Sequence, residues 1–291
     1  MVKELSGKYP VTRLCKCLKV STSGYYRWLK TPIGIRKMSD EIYKGIILRF
    51  YKDHNSCYGA KRVYELLKND NYKISKRRVA RLYKELGLKS KAEKKWKNTT
   101  NSKHNKLVAD NLLKQDFKAE NPNEKWVSDI TYIWTKEGWL YLCVIMDLYS
   151  RKIVGWSMDK RMKDDLVCNA LLNALFSRGH PKGVIIHSDR GSQYCSYKFS
   201  NLVKKHGLIS SMSSTGCCYD NAACESFFHS MKLEECDDYN YKTRQEARTS
   251  IFKYIETFYN KKRLHSYINY CSPNDFESKI RTHKKVSQIR G

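Results

Sequence analysis

Residues 126–132 read Trp-Val-Ser-Asp-Ile-Thr-Tyr, and they begin the part of the sequence that has a β pattern. Polar and apolar residues alternate over 125–134, an almost continuous apolar run follows at 139–146, and a third apolar segment lies at 153–158. These patterns predict three antiparallel strands joined by turns. Asp129 lies inside the first strand, where an ionised carboxylate is costly unless it meets a cation or a hydrogen-bond donor. The stretch therefore predicts a sheet that contains an acid in need of a partner.

Helices and strands alternate after these three strands. The apolar periodicity predicts a helix at 163–177, a strand at 184–187, a helix at 197–206, a strand at 209–212, and closing helices at 219–233 and 243–261. This order predicts an α/β fold with a five-stranded mixed sheet and helices on both of its faces.

The N-terminal part, as far as residue 88, has the pattern of short basic helices. We expect Ser39 to begin one of them, with Asp40 and Glu41 in its first turn. Its apolar face would consist of Ile42, Ile46, Ile47 and Phe50. Ser75 is a good N-cap for a later helix, which Gly87 would end.

Four basic residues lie at the start of the helix that follows Ser75, namely Lys76, Arg77, Arg78 and Arg81. The recognition helix of a helix-turn-helix would meet DNA at this point. The alternative is a solvated charged face on an ordinary pair of helices.

The charge of the chain points to nucleic acid. Lys and Arg number 56 against 29 Asp and Glu in 291 residues, which gives a formal charge of +27. Such self-repelling charge is tolerable mainly beside a polyanion. Hydrophobic residues at 41% and aromatic residues at 12% exclude a disordered polyelectrolyte. A solvated basic surface and an anionic membrane surface are the alternatives.

The eleven cysteines form no regular framework, and no two of them have the C-x₂-C spacing of a structural zinc site. The sequence contains neither a signal peptide nor an apolar stretch of about 18 residues. We therefore expect a protein of the reducing cytoplasm with no membrane partner.

Three acidic residues stand where the predicted architecture can bring them together. Asp189 directly follows the strand predicted at 184–187, and carboxyl ends of strands are where sheet proteins place reactive groups. Glu225 lies in a predicted helix whose small residues allow close packing on the sheet. With Asp129 they offer the oxygen ligands that Mg²⁺ prefers, and two ions about 3.5–4 Å apart support phosphoryl transfer. Each acid alone is more simply a turn residue, a cap or half of a salt bridge.

The acids and the short motifs around them resemble those of a known family. Between Asp129 and Asp189 lie 59 residues, and between Asp189 and Glu225 lie 35, which resembles the D-D-35-E pattern of retroviral-integrase-like transposases. The acids lie in three short motifs, Trp-x-x-Asp-Ile-Thr-Tyr, His-Ser-Asp-Arg-Gly-Ser-Gln-Tyr and Asp-Asn-Ala-x-x-Glu-Ser-Phe-Phe. These motifs are similar to those of bacterial insertion-sequence transposases, in the part encoded by the second reading frame. The segments at 9–11, 23–26, 258–266 and 272–273 resemble the same subgroup.

This resemblance implies a metal-dependent DNA transposase with a ribonuclease-H-like core. It implies Asp129, Asp189 and Glu225 as catalytic residues and as ligands of two Mg²⁺ or Mn²⁺ ions. The substrates implied are the terminal inverted repeats of an insertion sequence and target DNA. The same resemblance implies a homo-oligomer on DNA and a location at the bacterial nucleoid. It also implies fusion or association with an upstream-frame DNA-binding protein. Cys217 departs from it, because the family usually has Asn there.

The organisation predicted on this basis has four parts. Residues 1–90 form a helical, helix-turn-helix-like DNA-binding region, and the Lys- and Asn-rich residues 91–120 form a basic linker. Residues 121–236 form the ribonuclease-H-like catalytic core, and 237–291 form its helical extension.

Further basic residues are predicted to contact DNA. His229 and Lys232 lie at i+4 and i+7 from Glu225, so they share its helix face, and Lys232 resembles a basic residue that integrase-like enzymes place on terminal DNA. The alternative for both is an exposed helix face. A second basic group suits a DNA backbone and consists of Lys261, Lys262 and Arg263. The rings before it, Tyr254, Phe258 and Tyr259, are better interpreted as core.

Other polar residues have simpler interpretations. Asp147 falls where two strands must turn, and Asp220 is placed to cap the helix of Glu225. His187 either steers phosphate or completes its strand.

Two other functions remain open at this point. One is a catalytically inactive, element-derived DNA-binding protein, which would leave the three carboxylates without a role. The other is a ribonuclease-H-type nuclease that acts on RNA–DNA hybrids.

Overall fold

A computed structural model of the chain describes residues 1–30, 34–91, 109–113, 116–213, 221–237 and 239–279. The chain divides into two compact units, Met1–Ser90 and Lys91–Gly291. Among the described residues, no helix is both long and apolar enough to cross a membrane.

The first unit is all-helical, as the sequence predicts. Its helices are α1 (Val2–Leu5), α2 (Val11–Cys17), α3 (Thr22–Lys30), α4 (Ile35–Asp53), α5 (Ala60–Asn69) and α6 (Lys76–Glu85). The hydroxyl of Ser75 accepts the N–H of Arg78 at 3.3 Å, so Ser75 caps α6 as predicted. Buried side chains join α4, α5 and α6, namely Ile47, Phe50, Val63, Leu67, Val79 and Leu82.

The predicted start of α4 is wrong. The helix begins at Ile35, so Asp40 lies beyond its first turn, and Ile42 is 66% exposed. The buried stripe of α4 contains Asp40, Ile47 and Phe50. Ile42 is off this helical stripe because one face of a helix repeats every three to four residues. Asp40 lies on the stripe because two arginines of α6 pair with it.

The second unit contains the predicted five-stranded mixed sheet. Its strands are β1 (Lys125–Thr135), β2 (Gly138–Asp147), β3 (Ile153–Asp159), β4 (Ile185–Ser188) and β5 (Ile209–Met212). Their order is β3-β2-β1-β4-β5. The first three strands pair antiparallel, and β4 and β5 extend the sheet in parallel with β1.

Helices cover both faces of this sheet. They are α7 (Asp164–Ser177), α8 (Tyr197–Lys205), α9 (Ala222–Met231) and α10 (Arg244–Lys253), with π-helical segments at Lys232–Cys236 and Tyr254–Tyr259. Residues 273–279 form the last described helix. Successive β2 residues from Leu142 to Ile145 are fully buried, so neither face of this strand is exposed. Cys143 and Ile145 pack in one core with α7.

Gly155 in β3 allows α7 to lie close to the sheet. A Cβ atom built at Gly155 would lie 2.6 Å from the Cβ and backbone N of Ala174, and it would also meet the carbonyl of Ala170. These are backbone and short side-chain atoms, which cannot rotate away. A glycine is therefore required where β3 meets α7.

Gly155→Ala should lower the free energy of unfolding by about 1–3 kcal/mol, because α7 must move off the sheet. Chemical denaturation measures this loss. Gly45→Ala is a control in α4, where an added Cβ meets nothing within 4 Å. It should be neutral or stabilising, since Ala is the better helix former. Equal stability of wild type and Gly155→Ala would contradict the close packing.

A buried ion-pair network ties the end of α7 to the turn after β2. Arg178 donates to Asp147 at 3.1 Å and to Glu277 at 2.9 Å. Asp147 also accepts the N–H groups of Asn123 and Tyr149 at 2.9 and 3.0 Å. Burial raises the pKa of Asp147 to about 6. The acid therefore organises a turn, in line with its interpretation from the sequence.

Arg178→Met should lower the free energy of unfolding by about 3–5 kcal/mol, because the guanidinium that pairs with buried Asp147 and Glu277 is lost, while Lys152 remains 3.8 Å from Glu277. Thermal or urea unfolding of the whole chain measures it. Arg161→Met removes an exposed arginine from the same unit and should change stability little. Similar losses of unfolding free energy in both variants would show that the buried ion pairs of Arg178 contribute no more to stability than an exposed arginine does.

Candidate active site

Asp129 and Asp189 lie side by side at one end of the sheet. β1 and β4 run parallel, with Val127 paired to His187. Asp129 comes two residues further along β1. β4 ends at Ser188, so Asp189 is the first residue beyond it. Neighbouring strands are about 4.8 Å apart, and both acids therefore lie close to the C-terminal end of β4.

Local hydrogen bonds orient both carboxylates. Asp129 accepts the N–H of Ile130 at 2.8 Å. Asp189 accepts the N–H of Gly191 at 2.9 Å. A Cβ at Gly191 would lie 2.9 Å from the same carboxylate oxygen, so a larger residue there would require the Asp189 side chain to move. The turn after β4 thus holds Asp189 in place.

Helix α9 brings Glu225 to the same end of the sheet. The side-chain amide of Asn221 donates to the carbonyl of Ser128 at 3.1 Å, and the thiol of Cys224 lies 3.6 Å from the carbonyl of Val127. These contacts anchor the first turn of α9 on β1, just before Asp129. Glu225 follows Cys224 in that turn, where the helix dipole favours an acid.

The three acids share one electrostatic environment. The pKa of Asp129 is held well above its usual value, mainly by burial and then by the charges of Asp189 and Glu225, while Lys232 opposes this shift. Burial also raises the pKa of Glu225. All three side chains remain partly exposed. Solvent or a ligand can therefore reach them.

The acids do not form a closed set of ligands. Within the described ranges, no three side chains of His, Cys, Asp or Glu stand close enough to hold one metal ion between them. The structure thus brings the predicted acids to one neighbourhood, with hard oxygen donors on two strands and a helix. They would need a further approach to share an ion.

Asn221 is a site residue that was not predicted. Its side chain is buried, and it is a polar link between α9 and the strand of Asp129. Its position in the Asp-Asn-Ala motif was the sequence feature that indicated a role at the site. Cys217 and Asp220, which precede it, lie outside the described residues.

The ring of His187 is buried between two serine hydroxyls. It is fully buried, with Nδ1 2.8 Å from the hydroxyl of Ser211 and Nε2 3.2 Å from that of Ser213. These contacts join β4 to β5. His187 therefore completes its strand, the second of its two interpretations.

Lys232 and His229 follow Glu225 along the chain and are partly exposed. α9 ends at Met231, and Lys232 opens the π-helical segment. Its ammonium lies 4.9 Å from the ring centre of Tyr132 in β1. The charge of Lys232 also acts on Asp129.

The basic residues of α6 divide into two pairs by their contacts. Lys76, Arg77 and Arg81 are exposed, and Arg78 is half-buried. Arg78 and Arg81 each contact Asp40 at 2.7 Å, and hydrogen bonds from Arg81 and then Arg78 lower the pKa of that acid. Arg78 and Arg81 therefore hold α6 against α4.

The C-terminal basic group is divided in the same way. Lys261 and Lys262 are exposed. Arg263 is 4% exposed and donates to both oxygens of Glu234, at 2.8 and 2.6 Å. A buried carboxylate needs a counter-charge, so Glu234 turns Arg263 inward and away from the expected DNA surface. The preceding rings are buried, as the core interpretation predicts: Tyr254, Phe258 and Tyr259.

Family models match most of this architecture. "Integrase core domain" models match residues 119–218 and 225–280, and an "HTH-like domain" model matches residues 37–96. Among solved structures, the catalytic core domain of BIV integrase shows a TM-score of 0.41 and 19% identity, over 56% of this chain and 99% of that one.

Full-length relatives are much closer in sequence. "Transposase InsF for insertion sequence IS3A" of Escherichia coli (strain K12) is 41% identical over 280 residues, which covers 96% of this chain and 97% of the relative. "Insertion element IS600 uncharacterized 31 kDa protein" of Shigella sonnei is 44% identical over 266 residues, or 91% and 98% of the two chains. Identity at this level over nearly the whole length shows common descent and a common fold. The chain therefore belongs to the bacterial insertion-sequence transposases of the retroviral-integrase-like superfamily.

Proposed function

We propose that this DNA transposase cuts and joins DNA strands at a centre formed by Asp129, Asp189 and Glu225. One observation supports this most strongly. The charges of Asp189 and Glu225 both act on Asp129, although the three residues are far apart in sequence. Clustered, partly buried carboxylates are unfavourable unless a cation uses them. The free-energy cost of bringing these carboxylates together therefore indicates a functional site.

The chemistry of these side chains fits a divalent metal. Carboxylate oxygens are the hard ligands that Mg²⁺ and Mn²⁺ prefer, and accessible sites leave room for substrate oxygens. We propose two ions, held by Asp129, Asp189 and Glu225. When bound, such ions supply the positive charge that in-line phosphoryl transfer requires. Carboxylates that repel one another would move closer once that charge lies between them.

The protein's own groups would bind and orient the DNA. The charge of Lys232 acts on Asp129, and His229 lies one helical turn after Glu225, so both would contact phosphates next to the reacting bond. Lys261 and Lys262 would extend this contact along the backbone. Water or a DNA 3′-hydroxyl would then attack the phosphodiester in line, and no protein nucleophile is required. Cleavage followed by strand transfer results.

The substrates proposed are the terminal inverted repeats of an insertion sequence and target DNA. In the helix-turn-helix-like region, Lys76 and Arg77 would contact DNA, with Arg78 and Arg81 orienting α6 beneath them. Two DNA ends must be held at once, so we propose a homo-oligomer on DNA. Fusion or association with an upstream-frame DNA-binding protein is proposed from family membership. Action on chromosomal DNA would place the protein at the nucleoid.

Asp189→Asn should abolish Mg²⁺-dependent cleavage of the inverted-repeat DNA that flanks the gene, a loss of well over 100-fold. That figure is the upper end of losses seen when only a supporting neighbour of a metal ligand is removed. Gel analysis of labelled DNA ends measures cleavage. Asp237→Asn, at an exposed acid of the same unit, should cleave normally.

The same variant should behave distinctively in thermal unfolding. Without divalent cations Asp189→Asn should be more stable than wild type, because one repelling charge is gone. Mg²⁺ or Mn²⁺ should raise the melting temperature of wild type and not that of the variant. Cleavage by neither protein would favour an inactive DNA binder, and cleavage only of RNA–DNA hybrids would favour a ribonuclease.

Asn221→Ala should lower cleavage about 10- to 100-fold while costing only about 1 kcal/mol of stability, since one hydrogen bond positions α9. Parallel cleavage and urea-unfolding assays separate the two effects. Asn173→Ala is the matched control: Asn173 likewise donates to a strand carbonyl, that of Trp156, at 3.0 Å. Equal loss of cleavage in both variants would show that Asn221 has no special role.

A further inference from the structure

Three exposed rings lie together on the hairpin formed by β1 and β2. Tyr132, Trp134 and Trp139 are 46%, 57% and 42% exposed, and we call them the ring platform. The ring centre of Trp139 lies 4.9 Å from that of Tyr132 and 4.7 Å from that of Trp134. Contiguous apolar side chains that are exposed to solvent often mark a binding surface.

The hairpin places the ring platform close to the acids. Trp134 and Trp139 are direct cross-strand partners, and Tyr132 lies on the same face of β1. Beyond Asp129, β2 is the neighbour of β1 among the described strands, because β4 has ended. Tyr132 is three residues from Asp129, roughly 10 Å along the strand and on the opposite face. The same strand therefore carries Asp129 and two of the three rings, Tyr132 and Trp134.

Two basic side chains lie next to residues of the ring platform. The ammonium of Lys232 lies 4.9 Å from the ring centre of Tyr132. Nε of Arg244 donates to the carbonyl of Trp139 at 3.0 Å. Glu137, the acid of the hairpin turn, accepts the backbone N–H of Arg244 at 2.9 Å and so faces α10. Rings with cations beside them suit a ligand that has both flat bases and phosphates.

We propose that the ring platform stacks against unpaired bases of the DNA strand held at the acids. Aromatic side chains bind unpaired bases with little regard to sequence, and neighbouring cations neutralise the phosphates between them. A paired duplex hides its base faces and would gain little from the rings. The inference rests on the proposed function, because it assumes that DNA ends reach Asp129.

The test uses the full chain in EDTA, so that binding is measured without cleavage. The probe is a fluorescein-labelled oligothymidine, followed by anisotropy at fixed salt. Trp134→Ala and Trp139→Ala should each weaken binding about 5- to 100-fold, the range for one lost stacking contact. Phe176→Ala, at a ring of α7 that is 82% exposed, should bind like wild type. Blunt duplex should respond less than the single strand.

A second measurement guards against misfolding. Stacked bases quench indole fluorescence, so the double variant Trp134→Phe, Trp139→Phe should keep most of its affinity and lose much of the quench. Unchanged affinity of a folded Trp134→Ala protein would overturn the inference. So would a change in its sedimentation with affinity intact, since the rings would then bind a second copy. Loss of cleavage without loss of binding of the probe would concern the catalytic proposal alone.

Discussion

The parallel pairing of β1 with β4 is the constraint on which the site depends. The pairing of Val127 with His187 sets Asp129 and Asp189 at one level of the sheet, although 59 residues separate them. Helix α9 completes the arrangement because Asn221 and Cys224 attach its first turn to the backbone of β1. A slip of one residue between these strands would send one acid to the opposite face. Strand register is therefore as important to the site as the acids.

Gathering like charges at one end of a sheet destabilises that end, and the rest of the second unit shows how buried charge is otherwise managed. Arg178 neutralises Asp147 and Glu277, and Arg263 neutralises Glu234. Asp129 has only partial compensation from the amide of Ile130 and the charge of Lys232. Activity commonly requires such locally unfavourable arrangements, which a well-packed surrounding structure tolerates.

Sequence patterns predicted the strands well, because alternation and apolar runs report directly on burial. β5 has the predicted bounds, and β1 to β4 differ by one residue at one or both ends. The start of α4 was mispredicted because Asp40 resembles a first-turn acid, whereas it pairs with arginines about 40 residues away. The inward turn of Arg263 depends on Glu234, again a partner distant in sequence. Local patterns contain no information on such partners, so basic clusters show charge but not which members face solvent.

The network around Arg178 has a consequence for how the protein is made. Two of its members, Asp147 and Arg178, belong to the middle of the chain, while Glu277 is synthesised about 100 residues later. Until that residue leaves the ribosome, the guanidinium has only one of its two carboxylates, and the helix at 273–279 cannot dock. The second unit of a nascent chain therefore stays incomplete until Glu277 has been made, and a product that ends before this residue would lack one carboxylate of the network.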